Sequence, residues 1–168
     1  MIKEIKSSDI DSCVTVIKES FLTVANEFGF TQENAPRFTA FSTTAERLNW
    51  QFHHEHRPMF AYFVQTTPVG YYSLAAKEGN LCELNNLCVL PKFRHRKIGE
   101  QLLKHAFAFA EMQNCTKMLI GIVEENKLLK KWYQEFGFIP TGTQKYDFFP
   151  FTCGYMEKNL VTPCNSNQ

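Results

Sequence analysis

Apolar positions along the chain alternate between a helical and a strand-like period. Ser7-Ser8-Asp9 precedes Ile10, Val14, Ile17 and Phe21, a stripe at helical spacing behind a capping cluster. Ahead of it, residues 2–5 read as a short strand. Gly29, Asn34 and Pro36 predict a loop over 29–40, and Ser42-Thr43-Thr44 opens a second helix through Leu48 to about Phe52. After Pro58 the period becomes two. Residues 59–64, a turn at Thr67-Pro68, residues 69–75, a turn at Glu78-Gly79-Asn80 and residues 81–90 predict a three-strand meander that Pro91 closes.

Helical spacing returns at Ile98, Leu102, Leu103, Ala106, Phe109 and Ala110, and predicts a helix over 98–112. Residues 117–123 form a nearly continuous apolar strand. Residues 126–136 form an amphipathic helix with Leu128, Leu129, Trp132, Tyr133 and Phe136, ended by Gly137. Strands over 138–146 and 153–159 follow, and residues 165–168 read as a frayed tail. The order β-α-α-β-β-β-α-β-α-β-β describes an α/β (α+β) domain, a mixed sheet with helices on both faces. At 168 residues, with no repeat and no linker, residues 1–168 are one domain.

Composition narrows the setting. The chain carries 44% hydrophobic residues and 16 Phe, which excludes a disordered chain. A net charge of +1 argues against a surface that grips nucleic acid or an anionic membrane as a whole. The N-terminus lacks a secretory apolar region, no apolar run is long enough to span a bilayer, and six cysteines show no CxxC spacing. A soluble cytoplasmic protein with reduced thiols is the expectation. His53-His54-Glu55-His56 lacks a fourth ligand at a useful spacing, so it reads as a polar turn and no metal is expected.

The chemistry concentrates at Leu87-Cys-Val-Leu-Pro-Lys-Phe-Arg-His-Arg-Lys-Ile-Gly-Glu100, where a strand runs through a basic loop into a helix. Unpaired N–H groups and the dipole at that helix start make an anion site, and cations are unfavourable there without an anion. Lys92, Arg94, His95, Arg96 and Lys97 are expected to ring a phosphate, with Gly99 admitting close approach to the backbone.

This stretch resembles the acetyl-coenzyme A signature of the GNAT superfamily of N-acetyltransferases, V-x-P followed by Q/R-x-x-G-x-G/A. Val89, Pro91, Arg94 and Gly99 fill it, and Lys97 stands where the family has its first glycine, a lysine read here as right-handed helical. Asn126, Tyr133, Gly137 and Phe138 are similar to the family's second motif, N-x-x-A-x-x-[LF]-Y-x-K-x-G-F, and the whole resembles a bacterial-type subgroup. The resemblance implies a mostly antiparallel sheet of six or seven strands with two splayed central parallel strands. It implies an acetyl-coenzyme A donor and an amine acceptor, a small molecule before a peptide, and it leaves a homodimer open.

By position, the backbones of Leu87 and Val89 would pair with pantetheine. The N–H near Leu87 or Cys88 would polarise the thioester, and the N–H groups of Arg94, His95, Arg96, Lys97, Ile98, Gly99 and Glu100 would hold pyrophosphate. Asn126 would bind the pantetheine arm from the opposite side, and Tyr133 would be the general acid. Glu83 is the candidate general base, on the premise that an unbroken strand puts Glu83, Asn85, Leu87 and Val89 on one face and that burial beside aromatics raises its pKa. An ordered water is the competing base. A non-catalytic coenzyme A-binding or scaffold module is the competing function.

Overall fold

The computed structural model describes residues 1–161, so Cys164 and the tail expected at 165–168 lie outside the described residues. The elements are β1 (Ile2–Glu4), α1 (Ile10–Phe28), α2 (Thr39–Ser42), α3 (Ala45–His53), β2 (Met59–Val64), β3 (Thr67–Lys77), β4 (Leu81–Val89), α4 (Ile98–Met112), β5 (Lys117–Val123), α5 (Lys127–Glu135), β6 (Ile139–Lys145) and β7 (Thr152–Asn159), with 3-10 turns at Ser7–Asp9 and Pro91–Phe93. The hydrophobic period placed α4 and β5 at their observed bounds. The four-residue α2 is an addition, inside and just past the segment expected to be loop. It is too short for a period to appear. Thr44 caps α3, its hydroxyl accepting from the Arg47 N–H.

One seven-stranded sheet has the order β1-β2-β3-β4-β5-β7-β6. All neighbours are antiparallel except β4 and β5. This is the mixed sheet with a single parallel pair that the sequence implied. Adjacent residues of β3 show how both faces are covered. Tyr71 is fully buried on the face that carries Cys13 of α1, while the Tyr72 hydroxyl lies 2.7 Å from Nδ1 of His105 on α4. Burial pushes the His105 pKa down, so a neutral imidazole is the partner.

A second apolar cluster joins distant parts of the chain. Ala25 of α1, Phe30, Phe38 and Val123 pack with Phe151, and the Phe30–Phe151 and Phe149–Phe151 ring centroids are 4.8 and 4.5 Å apart. These rings tie the α1–α2 segment to the β6–β7 loop. Among the described residues, no helix is long and apolar enough to cross a membrane.

Gly70 of β3 is the tightest point between sheet and helix. A Cβ there would lie 2.8 Å from Leu102 Cδ1 and 3.1 Å from the Cys88 carbonyl oxygen. Leu102 is fully buried and the other neighbour is backbone, so neither can retreat without moving α4 or β4. Gly70→Ala should destabilise the fold by about 1–3 kcal/mol, read as a lower denaturation midpoint at an unchanged m-value.

Candidate active site

β4 and β5 pair at only three positions, Leu81–Lys117, Cys82–Met118 and Glu83–Leu119. Beyond them β4 stays on β3 and β5 stays on β7, so the two strands separate and a cleft opens. A bulge in β4 accompanies the separation. Two residues, Asn86 and Leu87, oppose the single Tyr72, and Asn86 takes φ 55, a left-handed value that Asn tolerates better than most residues.

The bulge overturns the expected common face. Asn85 sits opposite Ser73 and Cys88 opposite Tyr71, so Glu83, Asn85 and Cys88 share one face, while Val89, opposite Gly70, lies on the other with Leu84. The Asn-Asn pair in mid-strand was the available signal. Asn is poor in strands and comfortable at positive φ, which is what a bulge requires.

Backbone direction follows from the register. The Leu90 N–H bonds the Val69 carbonyl, which makes Val89–Gly70 a non-hydrogen-bonded pair. Val89 therefore turns its own N–H and carbonyl away from β3, toward the cleft edge. Cys88, one residue earlier, turns both groups into the ladder with Tyr71. The Cys88 N–H is thus not at the cleft, and of the two N–H groups considered for the thioester only the Leu87 N–H has the right alternation.

The cleft measures about 660 Å³ and is lined by Leu87, Cys88, Val89, Arg94, His95, Lys97, Ile98, Gly99, Glu100, Asn126 and Tyr133, together with Ser20, Trp132 and others. The structure brings together eleven of the residues singled out from sequence, counting Glu83 apart and Arg96 not at all. The Arg96 guanidinium sits 5.3 Å over the Phe93 ring, and Lys92 Nζ 5.4 Å over the same ring. Arg94 turns inward, its Nε donating to the Val89 carbonyl (3.1 Å) and its Nη2 to the Ser20 carbonyl and Thr23 Oγ1 (both 3.0 Å). The expected ring of five basic side chains is therefore corrected. Arg94 pins the loop to α1 and β4, and only His95 and Lys97 add cationic or polarisable groups to the lining.

Lys97 caps α4 with φ 60 and ψ 14, left-handed and not the right-handed conformation expected for it. His95 is also left-handed at φ 62. The first helical bond of α4 runs from Gln101 N–H to the Lys97 carbonyl, leaving the N–H groups of Ile98, Gly99 and Glu100 without helical partners. A Cβ at Gly99 would stand in the gap between Val89 and Trp132, 3.8 and 3.9 Å away, so the glycine keeps that part of the cleft open. Glu100 is drawn off by Lys104 at 2.6 Å, and that hydrogen bond holds its carboxyl below the usual range.

Asn126 caps α5, with Oδ1 accepting from the Leu129 N–H at 3.2 Å, which orients its amide within the cleft lining. Tyr133 is 6% exposed, with its ring against Trp132 and Phe138. Burial, and secondarily Cys88, pushes its pKa well above the ordinary tyrosine value. Its hydroxyl hydrogen-bonds no protein group among the described residues. Burial also pushes the Cys88 thiol up to about 12, partly offset by Ser20.

A second cavity of about 410 Å³ lies beyond the bulge and shares Tyr133, Leu87 and Asn126 with the cleft. Glu83, Asn85, Tyr155, Phe149 and Phe151 complete much of its wall. The Glu83 side chain is 36% exposed, with Oε2 3.5 Å from Lys77 Nζ, which corrects the expectation that aromatics bury it. Tyr155, whose hydroxyl lies 2.8 Å from that of Tyr146, was not singled out from sequence, and no spacing marked it. The histidines of residues 53–56 diverge. Ser7 Oγ lies 3.3 Å from His53 Nε2, His54 stacks on Trp50, and Glu55 pairs with Arg57.

Arg94 offers a clean distinction between a pin and a free cation. Arg94→Lys keeps the charge but cannot span Val89, Ser20 and Thr23. Loss of the forked contact should lower stability by about 1–3 kcal/mol, seen as a depressed Tm, whereas a solvated cation would tolerate the change.

Residues 24–138, more than half of the chain, match the family model described as Acetyltransferase (GNAT) family. No curated protein matches in sequence. Among solved structures, PaiA N-acetyltransferase from Thermoplasma acidophilum in complex with coenzyme A aligns at TM-score 0.81 and 20% identity, over 95% of this chain and 98% of that one. YncA, a putative acetyltransferase from Salmonella typhimurium with acetyl-CoA, aligns at 0.73 and 16%, over 99% and 97%. The ribosomal-protein-alanine N-acetyltransferase from Brucella melitensis aligns at 0.72 and 19%, over 95% and 99%. At these identities the structures speak for the fold. The sequence match over residues 24–138, on a sheet whose two parallel strands splay around a lined cleft, makes this chain a member of the GNAT family of acetyltransferases, an acyltransferase.

Proposed function

We propose that the protein transfers an acetyl group from acetyl-coenzyme A to a primary amine on a small molecule, by direct attack with donor and acceptor bound together. The observation that carries this reading is the Tyr133 hydroxyl, buried, without a protein partner among the described residues, and on the wall shared by two cavities. Acetyl-coenzyme A supplies the activated thioester.

The residues of the cleft suit that donor. Leu87 and Val89 present backbone groups along an edge that β5 has left, as a neighbouring strand would need them. Ile98, Gly99 and Glu100 offer N–H groups at the start of a 15-residue helix, an arrangement that favours a phosphate. Gly99 leaves room for close approach, and Lys97 adds a positive charge at the same turn. Asn126 closes the opposite side. The Leu87 N–H is the donor placed to stabilise negative charge developing on the carbonyl oxygen.

Tyr133 holds its proton through the neutral range because burial disfavours the phenolate, and it delivers that proton to the departing sulfur. Cys88 stays a thiol at neutral pH, which leaves it a poor acetyl acceptor and favours direct transfer over a covalent enzyme intermediate. Glu83 reaches the second cavity from the same strand and can take the proton that the amine must lose. Phe149 and Phe151 wall that cavity, and its 410 Å³ suits a small acceptor.

Tyr133→Phe should lower kcat by about 10²-fold with coenzyme A affinity nearly unchanged, measured by thiol release and calorimetry. Because the Tyr133 pKa is raised, the wild-type rate should not decline between pH 7 and the ordinary tyrosine value of about 10 through loss of this proton. In the same assay Glu83→Gln should lower kcat/KM by about 10²-fold at neutral pH. Unaltered kcat/KM in that variant assigns the base to water.

A further inference from the structure

Next to the acceptor cavity is a smaller polar one of about 180 Å³. The two share Arg37, Thr39, Asn85 and Asn86, so the bulge of β4 lies between them. Three guanidiniums from separate parts of the chain, Arg37, Arg47 and Arg57, line the smaller cavity, and no acidic side chain does. Arg57 is neutralised by Glu55, with Nε and Nη2 donating to Oε2 at 2.8 and 2.6 Å. Arg37 and Arg47 have no acidic partner among the described residues. The Arg37 guanidinium lies 4.3 Å over the Phe148 ring, a contact that uses its face and leaves its N–H edge free to donate.

Gln51 adds a hydrogen-bonding group to the same wall. It is 8% exposed, lines this cavity, and its carboxamide hydrogen-bonds no protein group among the described residues. Its amide keeps access to the cavity space and is free to donate to a polar occupant there. Two guanidiniums without an acidic partner, beside a free amide donor on the same wall, favour an oxyanion and oppose a second cation.

We infer that this cavity binds an anionic group, carboxylate or phosphate, carried by the acceptor, so that the substrates are amines bearing such a group. The inference rests on the acetyl-transfer reading for the identity of the occupant, and on the cavity alone for its charge. Anchoring the anion across the bulge positions the amine in the neighbouring cavity, within the space that Glu83 and Tyr133 also line.

The test has two arms. In the first, inorganic phosphate and acetate are titrated separately into the full chain while the Gln51 side-chain amide resonances are followed by NMR. Saturable shifts that weaken ten-fold or more in Arg47→Gln, and less in Arg47→Lys, support the site. Absence of any shift at Gln51 with both anions, or identical titrations in wild type and Arg47→Gln, overturns it whether or not any amine is acetylated. In the second arm, thiol release is compared for matched acceptors, amino acids against their amides and phosphoethanolamine against ethanolamine. The anionic member of the better pair should lead in kcat/KM by about ten- to a hundred-fold, and that ratio should collapse in Arg47→Gln. Preference for the neutral members overturns the inference while leaving acetyl transfer standing. No thiol release with any amine counts against acetyl transfer alone, and the first arm still decides the site.

Discussion

Everything at the site depends on a hydrogen-bond ladder that stops. β4 and β5 begin as ordinary parallel neighbours and part after Glu83 and Leu119. A buried strand edge with unpaired N–H and carbonyl groups is costly, and proteins seldom leave one without a purpose. Here the edge is kept from closing by commitments on both sides. β5 remains paired with β7 over its whole length, and β4 remains paired with β3 through its bulge to Val89. Neither strand can swing across without giving up a complete ladder. The gap is thus a stable property of the sheet, and it presents alternating donors and acceptors to whatever extended chain lies along it.

The elements around the gap hold it to one width. Arg94 joins the carbonyl end of β4 to the middle of α1, so the loop entering α4 cannot drift away from the strand that precedes it. Trp132 of α5 comes near Gly99 of α4, and the Phe107–Phe138 contact joins α4 to the chain following α5. The phenylalanine cluster does the same on the acceptor side, where Phe30 and Phe38 of the α1–α2 segment pack against Phe151 of the β6–β7 loop. These contacts are apolar or directed to backbone atoms and the Thr23 hydroxyl, so they leave N–H groups and a few selected side chains as the chemical content of the cleft.

That division explains what could be read from the chain. Residues 98–112 and 117–123 were legible to the residue because long apolar patterns are set by burial on one face, or on both. The turn from β4 into α4 was legible because a strand-to-helix junction carries its short-range features, a basic loop and a glycine that opens the helix start, in consecutive positions. The direction of Arg94 was not. A guanidinium that could reach a ligand can also reach Ser20, 74 positions away, and nothing local distinguishes the two. The common face assumed for Glu83 and Val89 failed for a different reason. One extra residue reverses alternation, and the hint lay in two adjacent asparagines whose weight was overlooked.

The acceptor side was the least legible, and its architecture shows why. The strand-to-helix turn on the larger cleft is one continuous stretch from Leu87 to Glu100, and it carries its features in consecutive positions. The acceptor cavities are carried by side chains from α1, the α1–α2 segment, α3, β4 and the β6–β7 loop. Arg37, Arg47 and Arg57 stand ten residues apart in sequence and have no common period, yet they meet at one small cavity because α2 and α3 fold back over the bulge. A chain-wide net charge of +1 hides this grouping as completely as it hides the basic turn at α4. Local positive potential is therefore distributed to two places, one at a helix start and one beside the acceptor. In the proposed reaction the acetyl group passes between them, in a space whose walls are largely apolar but include Arg37, Tyr133, Glu83 and several amides and hydroxyls. Such an arrangement lets charge on the two substrates be held at a distance from the reacting atoms. The amine then meets the thioester in surroundings that disfavour its protonated form.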